Sequence, residues 1–309
     1  MLRFMFLVLS CQGTPMYLIY GFSRLERKMS LTTYNDVKAP DLMYGTAWKK
    51  DATTDLVRLA VETGFTAIDT ANQIIHYNEE KVGDALYFLK EKGIERDMLF
   101  LQTKFTSLGG QGGADNAPYD ASADAATQVR QSMESSLKHL RTDYVDSYVL
   151  HGPEMRIGLT PYDLAVWTTM EELLAEGKTR SIGVSNVSAE QLELLLKHAS
   201  KKPAFVQNRC FAVNGWDKPV RDICTREDII YQGFSLLTAN PQAIDHHFVR
   251  ELADKHGATV PQVIFRFCTQ IGMLPLTGTT RKEHMKQDLD CVKFDLSADD
   301  IERIESIVL

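Results

Sequence analysis

The sequence predicts an α/β fold of the (β/α)8 TIM-barrel type, and three observations carry that prediction. Eight strand-like runs rich in β-branched and aromatic residues follow residue 40, each trailed by an amphipathic stretch. No linker or shift of composition divides residues 40–309, so one barrel of about 250 residues accounts for them better than two domains. Hydrophobic residues make up 44% of the 309-residue chain against 24% charged, enough to fill a large core. An open doubly wound sheet shares the same alternation and is the rival, because strand order is not legible in one sequence.

In chain order the strands are expected at Asp41–Gly45, Thr66–Thr70, Met98–Lys104, Tyr144–His151, Thr179–Ser185, Ala204–Arg209, Asp228–Ser235 and Met273–Gly278. Helices are expected at Thr53–Thr63, Asn78–Glu91, Asp124–Leu140, Tyr162–Glu176, Ser188–His198, Pro219–Thr225, Pro241–His256 and Arg281–Leu289. Glycines 64, 93, 177 and 257 supply helix stops, and Ser297 opens a last helix to Ile307 with a capping hydroxyl followed by acids. The longest irregular stretch is Thr106–Ala121. Its glycines fit no phosphate-loop spacing, and its place after the third strand suits a mobile loop on the substrate side.

Residues 1–36 are expected to be an extension outside the fold, leaving 37–309 as the barrel. Residues 1–28 hold four basic residues and one acid around an apolar start, which fits a short targeting segment. Met29 opens an ordinary-looking protein start, so an over-extended gene model or alternative initiation at Met29 is the reading preferred to targeting.

Composition excludes several function classes. A net charge of -7 gives no electrostatic reason to bind nucleic acid or an anionic membrane. No apolar run reaches the ~20 residues of a membrane span. Five scattered cysteines without a C-x-x-C suit reduced thiols, hence a cytoplasmic protein, and Cys210 and Cys268 read as buried apolar residues. Asp245-His246-His247 lacks metal-ligand spacing, so no metal is expected.

Barrel chemistry gathers at the C-terminal ends of the strands. There the second, third and fourth strands end in Asp69, Lys104 and His151, and Tyr77 follows the second. Singly each has a structural explanation: a helix cap, a solvated lysine, a core histidine. Together they make a proton-donor assembly, in which an ammonium favours phenolate, a carboxylate holds the ammonium charged, and the histidine orients a substrate oxygen or joins the proton relay. Such a site protonates an oxygen while something else attacks the carbon.

These pieces resemble the aldo-keto reductases over roughly residues 40–307. The matching segments are GTAW (45–48), IDTA (68–71), NEEKVG (78–83), LQTK (101–104) and DYVDSYVLHGP (143–153). They continue with GKTRSIGVSN (177–186), PAFVQN (203–208) and LTGTT (276–280). The resemblance implies a catalytic tetrad of Asp69, Tyr77, Lys104 and His151. It further implies hydride transfer from a nicotinamide cofactor to an aldehyde or ketone, with NADPH expected and NADH possible. Ser185, Asn186 and Gln207 would hold the carboxamide, and Phe234 would stack on the nicotinamide ring. Thr46, Asp69, Ser235, Leu237, Thr277, Thr279, Thr280, His284, Gln287 and Asp288 complete the expected cofactor contacts. Trp48 and His151 are the expected substrate contacts.

Three departures qualify the resemblance. The family tyrosine usually stands five residues after the aspartate, where this chain has Ile74; ungapped reading back from NEEKVG reaches His76, and two extra residues restore Tyr77. Gly278 and His284 replace basic residues common at the 2′-phosphate, leaving Arg281 and Lys282 as substitutes. The chain ends soon after its last helix, suggesting an open pocket for small or activated carbonyls. The rival functions are a nicotinamide-binding sensor with little turnover, and a hydrolase or isomerase using Asp69 and His151.

Overall fold

The computed structural model describes residues 31–308; the expectations for residues 1–28, the Met29 start and Cys11 lie outside them. Eight parallel strands close a barrel, β3 (Met43–Gly45), β4 (Ala67–Asp69), β5 (Phe100–Phe105), β6 (Ser147–Leu150), β7 (Ile182–Ser185), β8 (Phe205–Arg209), β9 (Ile230–Phe234) and β10 (Leu274–Thr277). Pairing of β10 with β3 shuts the ring and decides against the open sheet. Every expected strand is present.

Around it run α1 (Thr53–Thr63), α2 (Glu79–Glu91), α3 (Ala125–Leu140), α4 (Pro161–Ala175), α5 (Ala189–His198) and α6 (Lys218–Arg226). The rest of the layer is α7 (Pro241–Ile244), α8 (His247–His256), α9 (Val260–Gln270), α10 (Lys282–Leu289) and α11 (Ala298–Glu305). The single helix expected over Pro241–His256 is two, because His246 leaves the helix and its ring Nδ1 accepts from the Phe248 amide to cap α8. Helix α9 was not anticipated. Its signal was present: Thr259 and Gln262 form a capping box, with proline in the first turn.

Two cores result. The larger lies between strands and helices; the smaller fills the lower barrel with Met43, Phe100, Phe205 and Leu274, where the Phe100 and Phe205 rings meet edge-on at 5.6 Å. That apolar floor needs a cover. The hairpin β1 (Leu31–Thr32) and β2 (Lys38–Ala39) provides it, packing Leu31, Tyr34 and Val37 against the floor. Tyr34 also donates to the Lys202 carbonyl at 2.6 Å. Residues 31–36 thus belong with the barrel, against the boundary expected at 37, since its floor partly buries these side chains.

The four described cysteines are free and buried. Among the described residues no helix is long and apolar enough to cross a membrane.

Candidate active site

At the C-terminal ends of the strands opens a cavity of about 1190 Å³, running from Trp48, Tyr77 and His151 to Thr277, His284 and Asp288. Strand period 2 sets its floor. Gln102 and Lys104 on β5, with Thr106 just beyond, follow one inward face, as do Gln207 and Arg209 on β8, and Gln232 and Phe234 on β9.

Lys104 is wholly buried and donates to both Asp69 oxygens at 2.7 Å and to the Thr70 carbonyl at 2.8 Å. Its three N–H groups are thereby engaged. Asp69 Oδ1 also accepts from Gln102 Nε2 at 2.7 Å and Gln207 Nε2 at 3.1 Å. Both amides donate to Gln232 Oε1 at 2.9 Å, and Gln232 donates back to Gln102 Oε1 at 3.0 Å. Three glutamines therefore lock the carboxylate from below, a feature that the strand alternation encodes but the motif reading passed over.

The structure brings Tyr77, not His76, into the group. Lys104 Nζ lies 5.1 Å from the Tyr77 ring centroid, and Tyr77 meets the His151 ring edge-on at 5.9 Å. The extra residues form a turn closed by the Tyr77 amide donating to the Gln73 carbonyl at 2.9 Å, with Ile74 and Ile75 pushed outward. Asn78 then caps α2 through the Lys81 amide, fixing where Tyr77 enters. His76 instead packs against Trp48 at 4.1 Å, and its Nδ1 lies 2.7 Å from Gln73 Oε1. Gln73 in turn donates to the Gly110 carbonyl at 2.6 Å.

The electrostatics differ from the sequence reading at one point. Burial, and then the Asp69 charge, hold the Tyr77 phenol above its ordinary value. An ammonium saturated by Asp69 and Thr70 has no N–H left for the phenol and acts on it only through its field. Burial lowers Lys104, and Asp69 opposes that. Burial, reinforced by the charge of Lys104, drops the His151 imidazole to about 3, so the ring is neutral at physiological pH.

His151 has a partner that the motifs did not reveal. Thr106 Oγ1 lies 2.7 Å from its Nδ1. Thr106 is 3% exposed and its hydroxyl has no other acceptor among the described residues. Donation from the hydroxyl to Nδ1 therefore satisfies both groups and leaves the proton on Nε2. The segment carrying Thr106 is anchored by hydrogen bonds: Gln111 Nε2 donates to the Asn72 carbonyl at 2.9 Å and Tyr119 to the Thr106 carbonyl at 2.8 Å.

Of the other predicted residues, Ser185, Asn186, Gln207, Phe234, Ser235, Leu237, Thr277, Thr279, His284, Gln287 and Asp288 line the cavity with Trp48. Thr46 and Thr280 do not; the Thr46 hydroxyl is spent on the Asp69 carbonyl at 2.9 Å. Ser185 donates to the Gln207 carbonyl at 2.6 Å, and Asn186 Nδ2 to the His151 carbonyl at 2.8 Å. Asn186 Oδ1 and Gln207 Oε1 remain without a donor among the described residues. Trp48, Asn186 and Ser235 all adopt left-handed backbone, with φ of 64°, 55° and 57°, where three strands turn into the cavity wall. Such conformations are uncommon in residues with a side chain and concentrate at binding sites.

At the far end Lys49 donates to the Gly278 carbonyl, beside the space a side chain at 278 would occupy. Thr277 donates to Asp288 at 2.7 Å, and burial lifts that carboxyl to about 6.

Comparison with known proteins agrees with this architecture. The sequence pattern of the aldo/keto reductase family matches residues 41–240. Glyoxal reductase of Bacillus subtilis is 32% identical over 254 residues, covering 82% of this chain and 83% of that protein. The NAD/NADP-dependent indole-3-acetaldehyde reductase of Schizosaccharomyces pombe is 31% identical, covering 82% and 83%. Among solved structures, an aldo-keto reductase of Bombyx mori in complex with NADP superposes with a TM-score of 0.75. It is 25% identical, over 89% of this chain and 91% of that one. With the closed barrel, the cavity at its strand ends and these relatives together, the chain belongs to the aldo/keto reductase family of oxidoreductases.

Proposed function

We propose that this protein reduces an aldehyde or ketone with a nicotinamide cofactor, NADPH in preference to NADH, and that Tyr77 supplies the proton. The observation that carries the proposal is the convergence of Tyr77, the Lys104–Asp69 pair and neutral His151 at one end of an elongated cavity. The donor set fits a nicotinamide: the carbonyl oxygens of Asn186 and Gln207 suit a carboxamide NH2, and the half-buried Phe234 suits a stacked ring. At the other end, the Thr279 hydroxyl with nearby Lys49 and Arg281 suits phosphate. NADP accompanies the Bombyx mori relative.

When bound, the cofactor supplies a hydride to the carbonyl carbon. The chain's own residues do the rest. His151 Nε2–H donates to the carbonyl oxygen and orients it, because Thr106 holds the other nitrogen. Tyr77 is protonated at neutral pH and is loaded as the acid. As negative charge develops on the substrate oxygen, Tyr77 passes its proton there, and the Lys104 field stabilises the resulting phenolate. Asp69, held by Gln102 and Gln207, fixes Lys104. Trp48 and His76 form the outer wall on the substrate side.

Steady-state oxidation of NADPH and NADH with activated aldehydes, α-ketoesters and diketones tests the reading. Turnover with one or more of them is expected. Tight cofactor binding without turnover would favour a sensor, and no binding would overturn the proposal.

A further inference from the structure

Resting on the reductase reading, we propose that Arg209 binds a carboxylate on the substrate, so that the preferred substrates are aldehydes or ketones that carry one. Arg209 ends β8 two residues after Gln207 and pairs in register with Phe234. Its inward position follows from strand alternation, and it lines the same cavity as Tyr77 and His151. Among the described residues lining that cavity it is the single lysine or arginine. No carboxylate lies within ion-pair distance among the described residues; its guanidinium rests 5.4 Å from the Phe211 ring and stays exposed.

The other charges of the cavity are spoken for. Asp69 is bound by Lys104, Glu154 accepts from Thr160 at 2.8 Å, and Asp288 accepts from Thr277. An exposed, unpaired guanidinium fork on one wall is a geometry that planar carboxylates match bidentately. Adjacent strands stand about 4.8 Å apart, so β8 lies on the order of 10 Å from β6 around the rim. The arginine side chain shortens that span, leaving room for a few carbons between the reacting carbonyl at His151 and the carboxylate. A short semialdehyde such as 4-oxobutanoate has that shape. The cofactor pyrophosphate is the competing anion for the same guanidinium.

The test compares 4-oxobutanoate with butanal, which has the same chain length and no charge. kcat/KM for each is measured with NADPH in the wild type, Arg209→Met and Arg209→Lys, and NADPH affinity is measured by fluorescence titration. The wild type is expected to prefer 4-oxobutanoate. Arg209→Met is expected to lower the 4-oxobutanoate-to-butanal ratio by about 10- to 100-fold, and Arg209→Lys to retain part of the preference. Equal reduction of both aldehydes by the wild type would overturn the inference and leave the reductase reading standing. Weakened NADPH binding in Arg209→Met with the ratio intact would assign Arg209 to the pyrophosphate and also overturn it. Reduction of neither aldehyde, nor of the wider carbonyl panel, would overturn both.

Discussion

Thr106→Val removes one hydroxyl from a side chain of nearly the same size, and the structure sets what that should cost. The wild-type hydroxyl lies 2.7 Å from His151 Nδ1 and is shut away from solvent. Valine offers Nδ1 no partner, and a buried unsatisfied acceptor costs about 1–3 kcal/mol. The proton is then no longer directed to Nε2, so the same amount of transition-state stabilisation is at stake. That corresponds to a loss of about 5- to 150-fold in kcat/KM. The assay is steady-state reduction of a good aldehyde by the wild type, Thr106→Val and Thr106→Ser, with NADPH affinity measured alongside. Thr106→Ser should keep most of the activity, and cofactor affinity should hardly move, because Thr106 sits on the substrate side. Imidazole nitrogen chemical shifts should show the Nε2–H form in the wild type and a mixture in Thr106→Val. Full activity in Thr106→Val, or equal damage in Thr106→Ser, would refute the tautomer argument.

Tyr77→Phe should lower kcat by about 100-fold or more with NADPH affinity nearly unchanged; a dead His76→Ala beside an active Tyr77→Phe would move the acid to His76. Lys104→Met leaves Asp69 buried with only amide donors and should cost about 3–5 kcal/mol in denaturant unfolding, part of it recovered in Lys104→Met/Asp69→Asn. Asp288 protonates in the folded state near pH 6 but in the unfolded chain nearer 4. The contribution of Asp288 should therefore become less favourable as pH rises from 4 through 6, by about 3 kcal/mol, and Asp288→Asn should gain stability relative to the wild type between unfolding curves at pH 4 and pH 7. A chain starting at residue 37 loses Leu31 and Tyr34 from the barrel floor and should unfold about 2–4 kcal/mol more easily.

Much of this protein was legible without coordinates. The eight strands and most helices follow from local periodicity, which needs only the spacing of apolar residues along the chain. Asp69, Lys104 and His151 stand out because barrel strands deliver their last polar residues to one rim, and Tyr77 stands out in the loop that follows Asp69. Helix α9 was equally encoded, in Thr259 and Gln262, and the glutamine floor was encoded in the alternation of Gln102, Gln207 and Gln232.

What tertiary structure alone decided are relations between residues far apart in sequence. Closure of β10 on β3 excludes the open sheet, and the placement of Tyr77 rather than His76 beside Lys104 and His151 depends on how an insertion folds out between two anchored ends. The hairpin over the floor could not be read from 31–39, since the apolar surface it covers comes from Phe100, Phe205 and Leu274. The upward shift of Tyr77 also escaped the sequence, because it comes first from burial and then from the Asp69 charge, which together outweigh the field of an ammonium already paired with that carboxylate. Local periodicity is a property of neighbours in the chain; hydrogen-bond saturation, burial and the pairing of Thr106 with His151 are properties of neighbours in space.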